Sequence, residues 1–394
     1  MAHTQNGIVI VQSELSKNPR KSSRNGCNVP FPSAETLSHG EKRYVEKNQL
    51  RVRRVVHVPL REVSGICLHR SDNNRMFLIA ISDRAAKIAW FSMSRGEGEG
   101  GRIDWHTRNI AKLSGSTLPK HHPQIEAVCA DGGGRILLLQ ETPPRVELID
   151  PKALEAVASI DLVVEGNGKI ARAWCDPKGS LGEGVVPLPS GHLLVAKEKK
   201  PAALIEFGPQ YSRSRGLVRG GALADGERWP INKGHHRFVA LAIWRPDKTL
   251  AKTCADFSDL EIGPDGCLYL LSDKSFTIAR LDELPAGGGT AALLDAWRLG
   301  DLDGKPEGLA FSARGRAIVG LDTRKARRNL VLLEPAIAQL RRRDHRRAET
   351  KQSEDPGILP SSRSGQLPAA RGGLQSGVPS VRFAPLSLEY AEKP

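Results

Sequence analysis

Short apolar runs of five to seven residues, rich in Val, Ile and Leu, recur through the middle of the chain between polar, glycine-bearing turns. Runs of that length and composition predict strands rather than helices. Five segments superimpose: residues 63–91, 125–150, 182–207, 257–282 and 306–334. Each holds an apolar run, a glycine-containing turn, a second apolar run ending in an acid, another polar turn and a third apolar run. Turns such as Asp131-Gly132-Gly133-Gly134 and Pro264-Asp265-Gly266 supply the backbone freedom of a hairpin.

The register can be counted. Glu126 to Glu141, Glu183 to Glu198, Ser258 to Asp273 and Glu307 to Asp322 are each separated by 15 residues. The first copy, Ser64 to Asp83, is four longer because its turn carries HRSDNNR. One copy cannot cover both faces of its small sheet, whereas sheets packed radially around an axis can. The expectation is an all-β, five-bladed β-propeller over residues 50–335. Spacings between equivalent positions are 62, 57, 75 and 49 residues. A blade needs about 40–50, so the longest interval is tight for two, and five blades are preferred to the alternative of six. That interval carries residues 209–236, read as an excursion from one face. The last copy has three strands, and the alternating segment Leu50–Leu60 is expected to supply its fourth and close the ring.

Aligned in this way, Val63-Ser64-Gly65-Ile66 with Ile81-Ser82-Asp83, Gly182-Glu183-Gly184-Val185 with Ala196-Lys197-Glu198, Phe257-Ser258-Asp259-Leu260 with Leu271-Ser272-Asp273, and Glu307-Gly308-Leu309 carry a blade pattern. Through them the chain resembles the SdiA-regulated family and, more distantly, phytase-like and NHL-type propellers. The resemblance implies a five-bladed propeller with a calcium site and no established reaction.

In a blade the start of the first strand and the end of the second share one rim. The repeat therefore gathers Glu126, Glu183 and Glu307, with Ser64 and Ser258 in the other copies, beside Asp83, Glu141, Glu198, Asp273 and Asp322. Asp259 adds a carboxylate next to Ser258. Clustered carboxylates repel, and each favours protonation of the next; a hard cation compensates them, calcium accepting six to eight oxygens. The same acids could instead order turns through ion pairs, since Arg84, Lys199, Lys274 and Arg324 follow closely. The residues leave both readings open. Lys120, Lys197 and Lys199 are the candidate contacts to an anionic substrate, and His121 and His122 the candidate proton carriers. The second pair, His235 and His236, is expected in a solvent-exposed loop.

Two functional classes follow. One is a metal-dependent hydrolase of phosphoesters, esters or lactones; the other is a non-catalytic scaffold for a small ligand or a protein. No GxSxG elbow, HExxH, P-loop, EF-hand or dinucleotide fingerprint appears. The formal charge of +14 is spread as +3 over residues 1–49, +7 over the middle and +4 over residues 336–394. A basic surface favours polyanions, but no zinc finger, helix-turn-helix or RNP-like motif accompanies it, which points away from nucleic acid. Both ends are polar, basic and expected to be disordered, the cluster Arg341, Arg342, Arg343, Arg346 and Arg347 included. No apolar run approaches a membrane span, and the N-terminal GIVIV is too short for a secretory h-region. Six scattered cysteines without a CxxC pair read as reduced and structural. A cytoplasmic location is the expectation.

Overall fold

The computed structural model describes residues 48–71, 75–93, 103–120, 122–166, 168–174, 180–300, 302–323 and 327–338. His121, Arg324 and the two expected tails lie outside them, apart from the edges of the tails at 48–49 and 336–338. The strands are β1 (Gln49–Val56), β2 (Val63–Arg70), β3 (Met76–Ser82), β4 (Lys87–Met93), β5 (His106–Asn109), β6 (Ile125–Ala130), β7 (Ile136–Gln140), β8 (Arg145–Asp150) and β9 (Glu155–Val163). They continue as β10 (Gly182–Pro187), β11 (Leu193–Lys197), β12 (Ala203–Pro209), β13 (Gly234–Pro246), β14 (Asp259–Ile262), β15 (Leu268–Ser272) and β16 (Thr277–Leu281). The last are β17 (Gly289–Ala291), β18 (Leu293–Leu299), β19 (Lys305–Phe311), β20 (Ala317–Asp322) and β21 (Leu330–Glu334). Among the described residues two α-helices, α1 (Lys169–Trp174) and α2 (Lys248–Thr253), interrupt an almost all-β fold. Neither is long and apolar enough to cross a membrane.

Pairing is antiparallel within β2-β3-β4-β5, β6-β7-β8-β9, β10-β11-β12-β13, β14-β15-β16-β18 and β19-β20-β21-β1. The first strands touch in a cycle, β2 on β6, β6 on β10, β10 on β14, β14 on β19 and β19 on β2. This is the arrangement of a β-propeller. Its N-terminal strand β1 lies antiparallel on β21. Buried Asn329 pins the chain beyond β1, accepting from the Val58 amide at 2.8 Å and donating to the Val58 and Leu60 carbonyls at 3.1 and 2.8 Å.

Apolar clusters fill the spaces between successive sheets. Cys67, Val128 and Leu138 share one; Cys129, Val185 and Val195 the next; and Val186, Leu260 and Leu270 the one after. Three copies carry glycine at the second repeat position, Gly65, Gly184 and Gly308, and at the last two the neighbouring first strand comes too close for a side chain. A methyl at Gly184 would lie 2.5 Å from the Leu260 nitrogen, and one at Gly308 would lie 2.8 Å from the Ile66 nitrogen. Gly184→Ala is therefore expected to lose about 1–3 kcal/mol by overpacking, measured by urea unfolding. An unchanged midpoint would mean that the strands can part freely.

Candidate functional site

One mouth of the ring is acidic because of a recurrent backbone irregularity. The pairing of first and second strands slips between Val63 and Gly65, Ile125 and Ala127, Gly182 and Gly184, and Pro306 and Gly308. The residues left over are Ser64, Glu126, Glu183 and Glu307. A β-bulge re-aims the side chain of its extra residue, so a bulge in four of the five copies turns equivalent positions to the same rim, the β14–β15 ladder running without one.

The three glutamates sense one another. Burial first, then the carboxylates of Asp83, Glu141, Glu307 and Glu198, push Glu126 up to about 8. Burial and the same kind of neighbours, Glu126, Glu198, Glu141 and Glu307, hold Glu183 well above the usual carboxylate range. Glu307 is pushed up to about 8 by burial and by Asp322, with Asp273 and Asp83 adding to it and Lys305 opposing. Burial likewise raises Asp83, aided by Glu62 and Asp322 and opposed by Arg84. Eight of the nine sequence-predicted acids thus belong to one mutually repelling group. Asp83 and Asp273 each keep a buried Oδ1 without a hydrogen-bond partner.

Asp259 is the ninth, and it stands elsewhere. Its Oδ1 accepts from the Leu260 amide at 2.7 Å and its Oδ2 from the Leu309 amide at 2.6 Å. At the position where three copies carry glycine, its carboxylate bonds the next first strand instead of facing the rim. The serines also act between copies: Ser64 Oγ donates to the Ile125 carbonyl at 2.7 Å, and Ser258 Oγ to that of Pro306 at 3.2 Å.

The outer acids carry partial ion pairing. Lys199 bonds Glu198, Lys274 stands 3.8 Å from Glu198 and 3.3 Å from Asp256, and Lys305 stands 3.7 Å from Glu307. Glu141 Oε1 accepts from the Leu181 amide at 2.9 Å. Asp273 and Asp256 act on each other. Burial and its bond to Asp256 push Asp273 up to about 7, while Asp256, despite burial, is held below its ordinary value by bonds from Asp273 and Ser272 and by Lys274.

Lys197, expected to meet substrate, is fully buried, and its ammonium donates to the Ser180 and Lys199 carbonyls at 2.7 and 2.6 Å. Strand alternation explains this, because Lys197 shares the face of Leu193 and Val195. Lys120 and His122 are exposed. His235 and His236 lie within β13 rather than in a loop; His235 contacts Ser159 at 2.9 Å and Asp161 at 3.0 Å, and His236 contacts the Asn232 carbonyl at 2.9 Å. Sequence reading passed over Asp256 and Lys305, which carry no repeat signature, whereas Lys274 was among the bases expected to form ion pairs. Beside Asp83 opens a cavity of about 720 Å³ lined by Arg61, Glu62, Ser82, Arg84 and Lys87, with Glu62 and Arg84 paired.

No family model matches the sequence, and no curated protein matches it. Among solved structures, a streptogramin B lyase is similar at 12% identity over 74% of this chain and 99% of that one, with a TM-score of 0.34. Virginiamycin B lyase from Staphylococcus aureus is similar at 10% identity over 69% and 71%, with a TM-score of 0.32. A protein of unknown function from Bacteroides caccae is similar at 16% identity over 62% and 65%, with a TM-score of 0.30. The fold rests on the strand pairing above.

Proposed function

We propose that the acidic mouth of a five-bladed propeller is the functional site of this chain, and that it binds a cation, with calcium the first ion to test. The five antiparallel ladders and the closed cycle of first strands support the blade number. The cation reading rests on one observation: the charged groups that act most strongly on Glu126 and Glu183 are all carboxylates. A cation relieves that repulsion, and oxygen donors suit a hard one. Among the described residues no three His, Cys, Asp or Glu side chains form a group that could hold a metal. The resemblance to SdiA-regulated and phytase-like propellers supports the cation reading.

The cavity beside Asp83 has a volume in the range of small-molecule sites. Its Arg61, Arg84 and Lys87 suit an anionic group, and the finer reading is hydrolysis of a phosphoester, ester or lactone. The non-catalytic scaffold stays as the second reading because the Ser64 and Ser258 hydroxyls are both committed to backbone carbonyls.

Calcium titrated against thermal unfolding tests the first reading. A ligand at a hundredfold excess over Kd adds about 2.7 kcal/mol. The gain should grow from pH 6 to pH 9, because protons compete for the same carboxylates, and should shrink in Glu183→Gln. A melting curve indifferent to calcium at both pH values would overturn it. Turnover of a phosphoester or lactone that stops with chelator and returns with calcium separates enzyme from scaffold.

A further inference from the structure

The opposite mouth of the ring has a different lining. Three residues beyond the bulge position the five copies carry Cys67, Cys129, Val186, Glu261 and Ala310. Four of these, all but Ala310, line a cavity of about 200 Å³ with Leu68, Met76, Leu223 and Ile262 among its other walls. An acid thus stands in a layer that is otherwise thiol or aliphatic.

A strap borders this cavity, which stays half-open to solvent. Residues 210–233 cross the mouth between β12 and β13, and Ala222, Leu223 and Asp225 of the strap are part of the lining. The strap is fixed at several points. The Gly226 amide donates to the Gly132 carbonyl at 2.7 Å, and the Trp229 amide donates to Asp131 at 3.0 Å. Glu206 accepts from His192, Ser214 and the Arg215 and Gly216 amides. The charges around the cavity are otherwise matched: Arg70 pairs with Asp225 at 2.8 Å and Arg135 with Asp131 at 2.8 Å. Glu261 is the exception. Burial pushes it up to about 8, opposed only by the Ile262 amide, and no cation contributes.

We propose that this cavity is a second binding site, for a small amine whose compact apolar body fills the pocket and whose ammonium pairs with the Glu261 carboxylate. The volume sets the scale, since an apolar cavity of about 150 Å³ holds benzene; benzylamine is therefore the probe. Near pH 7 the free amine is protonated and the empty Glu261 carboxyl is neutral, so forming the ion pair sends up to one carboxyl proton to the buffer.

Calorimetric titration of the full chain with benzylamine tests this, with benzyl alcohol as the neutral counterpart. Saturable benzylamine binding is expected, at least about tenfold tighter than benzyl alcohol, with a heat that varies with the buffer's ionisation enthalpy as proton release requires. Glu261→Gln should remove that preference, and Ala222→Phe, which fills the pocket from the strap, should abolish binding of both. Glu183→Gln, at the other mouth, should leave benzylamine binding unchanged, so this site and the cation site fail or succeed separately. Absence of saturable binding, equal affinity for the alcohol, no proton release, or benzylamine binding lost in Glu183→Gln would each overturn the proposal. If Glu261→Gln does not fold, the buffer series and Ala222→Phe decide.

Discussion

Asp131→Ala should lower the unfolding free energy by about 3–5 kcal/mol, the usual loss when one partner of a buried ion pair is removed. Asp131 is 4% exposed and Arg135 7%. One carboxylate oxygen takes the Arg135 amide at 2.7 Å; the other takes the Arg135 Nε at 2.8 Å and the Trp229 amide at 3.0 Å. The guanidinium also bonds the Trp229 carbonyl and reaches that of Ile231 at 3.4 Å. Removing the carboxylate leaves a cation buried without its partner and frees the strap at Trp229, a residue only 1% exposed. Arg135→Met added to Asp131→Ala should recover part of the loss, because no buried charge is then left alone. Urea unfolding at neutral pH measures both. A loss below about 1 kcal/mol, the scale of a surface pair, would mean that water reaches the pair in solution.

The strap and its anchors were legible only as length. The 75-residue interval signalled an excursion, but which turn it docks on depends on contacts between residues almost 100 apart, such as Asp131 and Trp229. The ring itself was far more legible. Apolar period, glycine turns and the constant 15-residue interval all repeat, and repetition is information that a single strand does not carry. The alternation in LRVRRVV likewise announced the closing strand, which pairs with β21 from Arg51 to Val56.

The candidate site was legible in position but not in mechanism of placement. Alignment put Glu126, Glu183 and Glu307 at one rim, yet the bulge that aims them has no compositional mark, being one residue left out of a ladder. Alternation explains the two residues that went elsewhere. Asp259 follows Ser258 by one step and meets the neighbouring strand, and Lys197 continues the inward face of β11. Glu261 was readable and overlooked: stacking the copies sets it against Cys67, Cys129, Val186 and Ala310, where a carboxyl breaks an apolar layer.

Stability should fall as pH rises from about 5 to 8. The ordinary value of Glu126 and Glu307 is 4.5, and in the fold both are pushed up to about 8. Across that window the folded chain holds protons that the unfolded chain has released, so unfolding is favoured by about 1.4 kcal/mol per pH unit for each such proton. Above the folded values the trend stops. The full shift is not realised, because both side chains are partly exposed, Glu307 by 26%, and their mutual repulsion makes the protons leave in shared steps. A combined loss of about 3–4 kcal/mol between pH 5 and 8 is the expectation after that discount. Glu206 has the opposite sign: although burial opposes it, hydrogen bonds from His192 and Ser214 hold it below its ordinary value, so its stabilisation is lost on the acid side of the window. Glu126→Gln with Glu307→Gln should flatten the slope between pH 5 and 8 and leave the variant more stable than the parent at pH 8.5. Denaturant midpoints across that range decide it, and a parent whose stability holds level to pH 8 would mean that the mouth already carries its negative charge with water alone to screen it.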